Sequence, residues 1–177
     1  SKRVVTLTRT GVGVIGGPPK SAKSWLGLDL ALSVSSGTQA LDRFAIAECG
    51  PVLLYMAEDA APIVKARLLA LCRHRHQNLT SLPIHVITQS VLRLDVELDR
   101  KRLSRTVAAV QPRLLLLDPF VRVHRLNEND ASAISALLAY LRALQRRFDL
   151  AVIIVHHTRK NHNPALQDGQ NLRGSGD

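Results

Sequence analysis

The apolar positions of this chain follow two alternating rhythms. Short continuous apolar runs, at Val12–Ile15, Val52–Met56, Ile84–Ile87, Leu114–Leu117 and Leu150–Val155, predict strands. Between them apolar residues recur at helical spacing. Trp25, Leu26, Leu28, Leu30, Ala31, Leu32 and Val34 predict a helix that is apolar nearly all round and ends at Gly37. Such a helix is buried between a sheet and another layer. Ile63, Val64, Leu68, Leu69 and Leu71 mark a second helix, with Asp59 as its expected N-cap and Pro62 in its first turn. Arg73, His74, Arg75 and His76 would end it, where cations suit the helix dipole. A third helix is expected over Asp99–Val110. A fourth, capped by Asp130, carries Ile134, Leu137, Leu138, Leu141 and Leu144. Residues 1–10 read as a short lead-in of β type. From Arg159 the chain turns polar, with Pro164, Gly169, Gly174 and Gly176 predicting a mobile loop.

Strands that are apolar throughout, alternating with helices, define an α/β fold: a mainly parallel sheet with helices on both faces. Ligands of such sheets bind beyond the carboxyl ends of the strands. The polar residues that end strands are therefore the candidates for chemistry.

Composition adds a few bounds. At 177 residues, with 46% hydrophobic but only 3% aromatic content, a single domain over residues 1–177 is expected, its core filled by Leu, Val, Ile and Ala. The sequence has no initiator Met and stops at Asp177 just after a polar loop, so the expected domain is incomplete at its C-terminal end. No apolar run is long enough to span a membrane, and no signal peptide is visible. Cys49 and Cys72 form no C-x-x-C pair, so two reduced structural thiols in a cytoplasmic protein are expected rather than a zinc or disulfide framework. The net charge of +10, from 24 basic and 14 acidic residues, suits a nucleic-acid partner, and equally an arginine-rich solvated surface.

The densest chemical signal is Gly17-Pro18-Pro19-Lys20-Ser21-Ala22-Lys23-Ser24, which departs by one residue from the phosphate-binding pattern G-x-x-x-x-G-K-[ST]. Backbone N–H groups of such a loop cradle phosphates, and the helix that follows, beginning near Trp25, aims its N-terminal dipole at the same charge. Lys23 would neutralise a phosphate oxygen, and the Ser24 hydroxyl would sit on Mg²⁺. The departure is Ala22, whose methyl is tolerable if its backbone is helical but crowds an approaching phosphate. The bland alternative is an ordinary strand–turn–helix with a chance lysine.

Three strand-end residues complete the set. Asp118, after Leu114–Leu117, is placed to hold Mg²⁺ opposite Ser24, or else caps a turn before Pro119. Glu58, just past Val52–Met56, is placed to orient and deprotonate water, or else is a solvated loop acid. His157 is placed to hydrogen-bond a γ-phosphate, whereas a lone strand-end histidine is commonly structural. His156 would face the other side of the strand.

In order, Gly16-Gly-Pro-Pro-Lys-Ser-Ala-Lys-Ser-Trp-Leu26, Leu54-Tyr-Met-Ala-Glu-Asp59, Leu114-Leu-Leu-Leu-Asp-Pro119, Val155-His-His-Thr-Arg-Lys160 and Leu172-Arg-Gly-Ser-Gly-Asp177 resemble the RecA-like P-loop ATPase core. Within it they are most similar to the RepA-type hexameric replicative helicases of plasmids, phages and mobile elements. The resemblance spans nearly the whole chain. It implies ATP and Mg²⁺ as cofactors, a P-loop at Gly17–Ser24, a catalytic glutamate at Glu58, a Walker B aspartate at Asp118 and a γ-phosphate sensor at His157. It also implies a homo-hexameric ring around single-stranded DNA, contacted through a loop with Arg159, Lys160 and Arg173. That loop has no aromatic residue, which suits contact with the phosphate backbone. The arginine that completes a neighbour's site would lie beyond Asp177.

The leading expectation is thus an ATP-hydrolysing motor domain, a DNA helicase subunit. A regulatory or loader ATPase without unwinding shares every motif. A small-molecule kinase would want an arginine-rich lid and has no use for Glu58 and His157. A nucleotide-binding scaffold without turnover is conceivable from Ala22.

Overall fold

The computed structural model describes residues 11–158. They form one five-stranded parallel sheet in the order β1-β5-β4-β2-β3. The strands are β1 (Gly11–Gly17), β2 (Val52–Met56), β3 (Ile84–Val86), β4 (Leu114–Asp118) and β5 (Ala151–His157). The helices between them are α1 (Lys23–Ser36), α2 (Ala61–His74), α3 (Glu97–Val110) and α4 (Ala131–Phe148). Short 3₁₀ turns occupy Leu79–Ser81 and Phe120–Val123. The expected α/β layering is what the chain adopts.

Each central strand divides its residues between two cores, as the two-residue period of a strand requires. Leu53, Tyr55, Leu115, Leu117, Val152 and Ile154 face α3 and α4. Val52, Leu54, Met56, Leu114, Leu116, Ile153 and Val155 face α1 and α2. β2 and β4 are buried along their whole length, which explains why neither shows any polar alternation in sequence. The parity also sorts the two histidines at the end of β5. His157 continues the face that packs on α1, and His156 the opposite one.

Helix α1, which follows β1, is the most enclosed of the four. It packs so closely on the sheet that a Cβ at Gly27 would lie 3.0 Å from a methyl of Leu116. Gly37 ends it in the left-handed region (φ 76°), its N–H donating to Ser33 O at 2.8 Å. Its second partner is α2, and one arginine ties the two together. Arg75, whose side chain is 5% exposed, pairs with Asp29 of α1 and donates to Gln39 O at 2.6 Å and Thr38 Oγ1 at 3.1 Å. The sequence places Arg75 as a cation for its own helix end; in the structure it serves a neighbouring helix.

Two further expectations need correction. Asp59 does not cap α2: the N-cap is Ala60 and makes no side-chain bond, while Asp59 is drawn aside into an ion pair with Arg67. α3 begins at Glu97, two residues before Asp99, because Asp99 is buried and accepts from Arg93 N at 2.8 Å instead of starting the helix. β5 ends in His156 and His157 as expected, because β1 continues beside it and pairs Gly16 with His156 and Gly17 with His157. Asp130 caps α4 as expected, accepting from Ala133 N at 3.1 Å.

Removing Arg75 by Arg75→Ala leaves Asp29 buried without its cation, a loss of about 3 kcal/mol or more. In a chain of this size that lowers Tm by roughly 6–12 °C. Thermal unfolding checks it; a Tm within about 2 °C of wild type contradicts the clamp.

Candidate functional site

β1 ends at Gly17 and α1 begins at Lys23, so Pro18–Ala22 form the whole turn between strand and helix. The turn is open to solvent. Ala22, the N-cap of α1, has φ 59° and ψ 19°, which is left-handed and not helical. The condition under which alanine is comfortable there is therefore not met. The backbone adopts the conformation for which the pattern's glycine is suited, and the alanine carries strain of about 1–2 kcal/mol. Lys20 shares the strained region (φ 62°).

Pro18 and Pro19 have no N–H, so a phosphate cradle must be drawn from the amides that follow them and from the first turn of α1, whose donors have no partner within the helix. Lys23 is 6% exposed, and its Nζ donates to Pro18 O at 2.6 Å and Ser21 Oγ at 3.3 Å. Ser21 Oγ donates to the same carbonyl at 2.8 Å. These bonds stretch the ammonium across the mouth of the loop. Gly17 leaves room for them: a Cβ there would lie 3.0 Å from Ser21 Oγ, a contact the hydroxyl could make only by shifting.

Opposite the loop, the strand register assembles the polar residues. Met56 pairs with Asp118, and Gly17 with His157. Asp118 is 4% exposed and holds the centre. Burial pushes its carboxyl above the usual carboxylate range; a hydrogen bond with the Ser24 side chain and the nearby His157 pull it back, while Asp59 and Glu58 push it up again. Ser24, Glu58, Asp59 and His157 thus all act on one carboxylate, which brings the residues singled out in the sequence to one place. Asp118 Oδ2 and His157 Nδ1 are both buried without a hydrogen-bond partner.

The outer members are tied down by arginines that the sequence did not mark. Glu58 is half-exposed, and its Oε1 meets Arg122 Nε at 3.2 Å. Asp59 pairs with Arg67, whose guanidinium lies 5.8 Å from the centre of the Trp25 ring. The first pair joins residues 64 apart in sequence and the second crosses from a strand end to the middle of α2, so no helical spacing announces either. His156 turns away, as its parity requires, with Nδ1 3.8 Å from Glu128 Oε1 and its ring 6.4 Å from that of Phe120. Arg159, Lys160 and Arg173, the expected DNA contacts, lie outside the described residues.

A Ser24 hydroxyl beside a buried carboxylate with an unpartnered oxygen is a hard oxygen donor set, which fits Mg²⁺. Among the described residues, no group of three His, Cys, Asp or Glu side chains is arranged to hold a metal. An ion here would therefore need its remaining oxygens from phosphate and water, as Mg²⁺ at a nucleotide does. Among the same residues, no helix is long and apolar enough to cross a membrane.

A parallel sheet with this loop before α1, and acids and a histidine at the neighbouring strand ends, is the RecA-like form of the P-loop ATPases. The chain belongs to the AAA domain family, which matches residues 5–163. Three solved structures share the fold. One is an ATPase domain, which superposes with a TM-score of 0.58 at 16% identity, over 93% of this chain and 64% of that one. A DnaB-like replicative helicase, solved for its interactions with primase, gives 0.58 at 17% identity over 95% and 44%. The RadB recombinase gives 0.59 at 19% over 89% and 66%. The chain thus spans less than two thirds of the length of each.

Two outcomes follow from the charges. Asp118→Asn removes a carboxylate whose ionised form burial disfavours, so at neutral pH it should raise Tm by roughly 2–4 °C, equivalent to about 1 kcal/mol. A lower Tm in a melt near neutral pH would contradict this. The second concerns His124, which directly follows the Phe120–Val123 turn after β4. Burial holds its imidazole below the ordinary value of 6.5, with Glu128 and Asp95 opposing and Arg93 reinforcing the shift. The unfolded chain therefore binds the proton first, and stability falls as pH drops below about 6.5. Tm should decline between about pH 7.5 and 5.5, and the decline should be smaller in His124→Phe; equal slopes would contradict it.

Proposed function

We propose that the chain is the ATP-hydrolysing motor domain of a RepA-type replicative helicase, working as a homo-hexameric ring on single-stranded DNA. The observation that carries the ATPase part is the convergence of Ser24, Glu58 and His157 on the buried Asp118, beside a loop that extends Lys23 across its mouth. The helicase part is supported by the likeness to the DnaB-like helicase, the order of the motifs and the net charge of +10.

In this reading the amides that follow Pro19 and Lys23 hold the β- and γ-phosphates, and Ser24 and Asp118 hold Mg²⁺. The ion lowers the charge on the phosphates. Glu58 orients and deprotonates the attacking water. Its pairing with Arg122 is solvent-exposed and worth about 1 kcal/mol or less, so the carboxylate is easily released to the water. His157, on the face of β5 that packs on α1, receives the γ-phosphate at its unpartnered Nδ1 and relays its loss to the chain beyond Thr158. That chain, with Arg159, Lys160 and Arg173, tracks the DNA backbone.

Glu58→Gln should leave ATP affinity within a few-fold of wild type and slow hydrolysis by roughly 10²- to 10⁴-fold. Lys23→Ala should abolish most of the affinity itself. Calorimetric titration with ATP and steady-state phosphate release separate the two. Turnover by Glu58→Gln within a few-fold of wild type would reduce Glu58 to a surface acid. Strand separation by the assembled protein, absent from a pure loader ATPase, tests the helicase assignment.

A further inference from the structure

Trp25 is the chain's single tryptophan and stands directly after Ser24. It is 40% exposed, whereas the other aromatic residues are buried or partly buried. A large apolar ring left open beside a polar site is the unusual case, because tryptophan is ordinarily among the more buried residues. The core does not need it: neither buried cluster includes Trp25.

Its ring has a charged neighbour. The Arg67 guanidinium of α2 lies 5.8 Å from the ring centre, near enough for a cation–π contact. Arg67 is in turn held by Asp59, just past the end of β2 and in the charge cluster around Asp118. Asp59 leaves the cap of α2 vacant to make this pair. The result is a ring and a planar cation, anchored to the same strand end as Glu58, that joins the first turn of α1 to the middle of α2.

We propose that Trp25 and Arg67 form the seat of the nucleobase, a stacking shelf by which this site binds nucleotides more tightly than bare polyphosphate. The inference rests on the nucleotide site proposed above and adds what holds the other end of its ligand. With its phosphates in the loop, a nucleotide extends its base away from Lys23, and Trp25 is the open aromatic surface next to that loop. The shelf offers a π-face and a delocalised cation and no set of donors and acceptors shaped to one base. It therefore favours the larger purine ring over pyrimidines and separates ATP from GTP poorly.

The test is paired calorimetric titration of wild type, Trp25→Ala, Trp25→Phe and Arg67→Ala with ATP and with inorganic tripolyphosphate, which has the phosphates and no base. Wild type should bind ATP roughly ten- to a hundredfold more tightly, the range that base–aromatic stacking reaches. Trp25→Ala should lose most of that advantage while holding tripolyphosphate within about twofold, which also shows that the loop remains folded. Arg67→Ala should lose part of it, and Trp25→Phe should retain part of it. ATP should quench the fluorescence of the single tryptophan, and tripolyphosphate should leave it unchanged. Equal wild-type affinity for the two ligands, or ATP affinity unchanged in both Trp25→Ala and Arg67→Ala, overturns the shelf and leaves the phosphate loop standing. Failure of wild type to bind either ligand overturns the loop and the shelf together.

Discussion

The structure turns on a carboxylate kept where a carboxylate is expensive. Asp118 ends a strand buried along its whole length, two strands from β1, with α1 packed against one face of that strand. One oxygen has no hydrogen-bond partner, and two further acids stand nearby. A fold selected for stability alone would place leucine there. The position makes physical sense as the seat of a cation, which would convert the least favourable group of the sheet into its best-satisfied one. Lys23 and His157 fit the same design. Each is a potential positive or donating group arranged around a space in which negative charge is to be received.

Holding that arrangement requires α1 to be fixed against both the sheet and α2. Gly27 lets it lie directly on Leu116, two residues before Asp118 in β4, so the helix carrying Ser24 and the strand carrying Asp118 are in register by contact. Arg75 clamps the helix from α2 through Asp29. The left-handed backbone at Ala22 is the strained joint of this assembly, and the packing around α1 holds it in place. Strain of that size is small beside the burial of α1, which is why alanine is tolerated where glycine would relax the backbone.

The fold was largely legible because its signals are local. Unbroken apolar runs and helical spacing locate five strands and four helices, and parity along β5 by itself separates His157 from His156. The acids and the histidine were legible for a related reason. In a parallel sheet every strand delivers its carboxyl end to the same edge, so strand-end residues distant in sequence meet. What escaped the sequence was set by competition from partners outside the residue's own helix turn. Asp59 resembles a cap and is captured by Arg67; Arg75 resembles a dipole cation and is captured by Asp29. Ala22 escaped differently, since a sequence carries no φ angle, and the missing glycine gave no sign whether the backbone had changed or only the strain. The Arg122 contact with Glu58 joins loops 64 residues apart and has no spacing to betray it.

The central claim is that Ser24 and Asp118 make one Mg²⁺ site around a nucleotide's phosphates. It is tested most directly by the effect of Mg²⁺ on ATP affinity, measured by calorimetry in wild type and in Ser24→Ala. Wild type should bind ATP more tightly with Mg²⁺ than in EDTA, and Ser24→Ala should show little of that gain while still binding metal-free ATP. An affinity indifferent to Mg²⁺ in wild type, or a gain fully preserved in Ser24→Ala, would contradict the account.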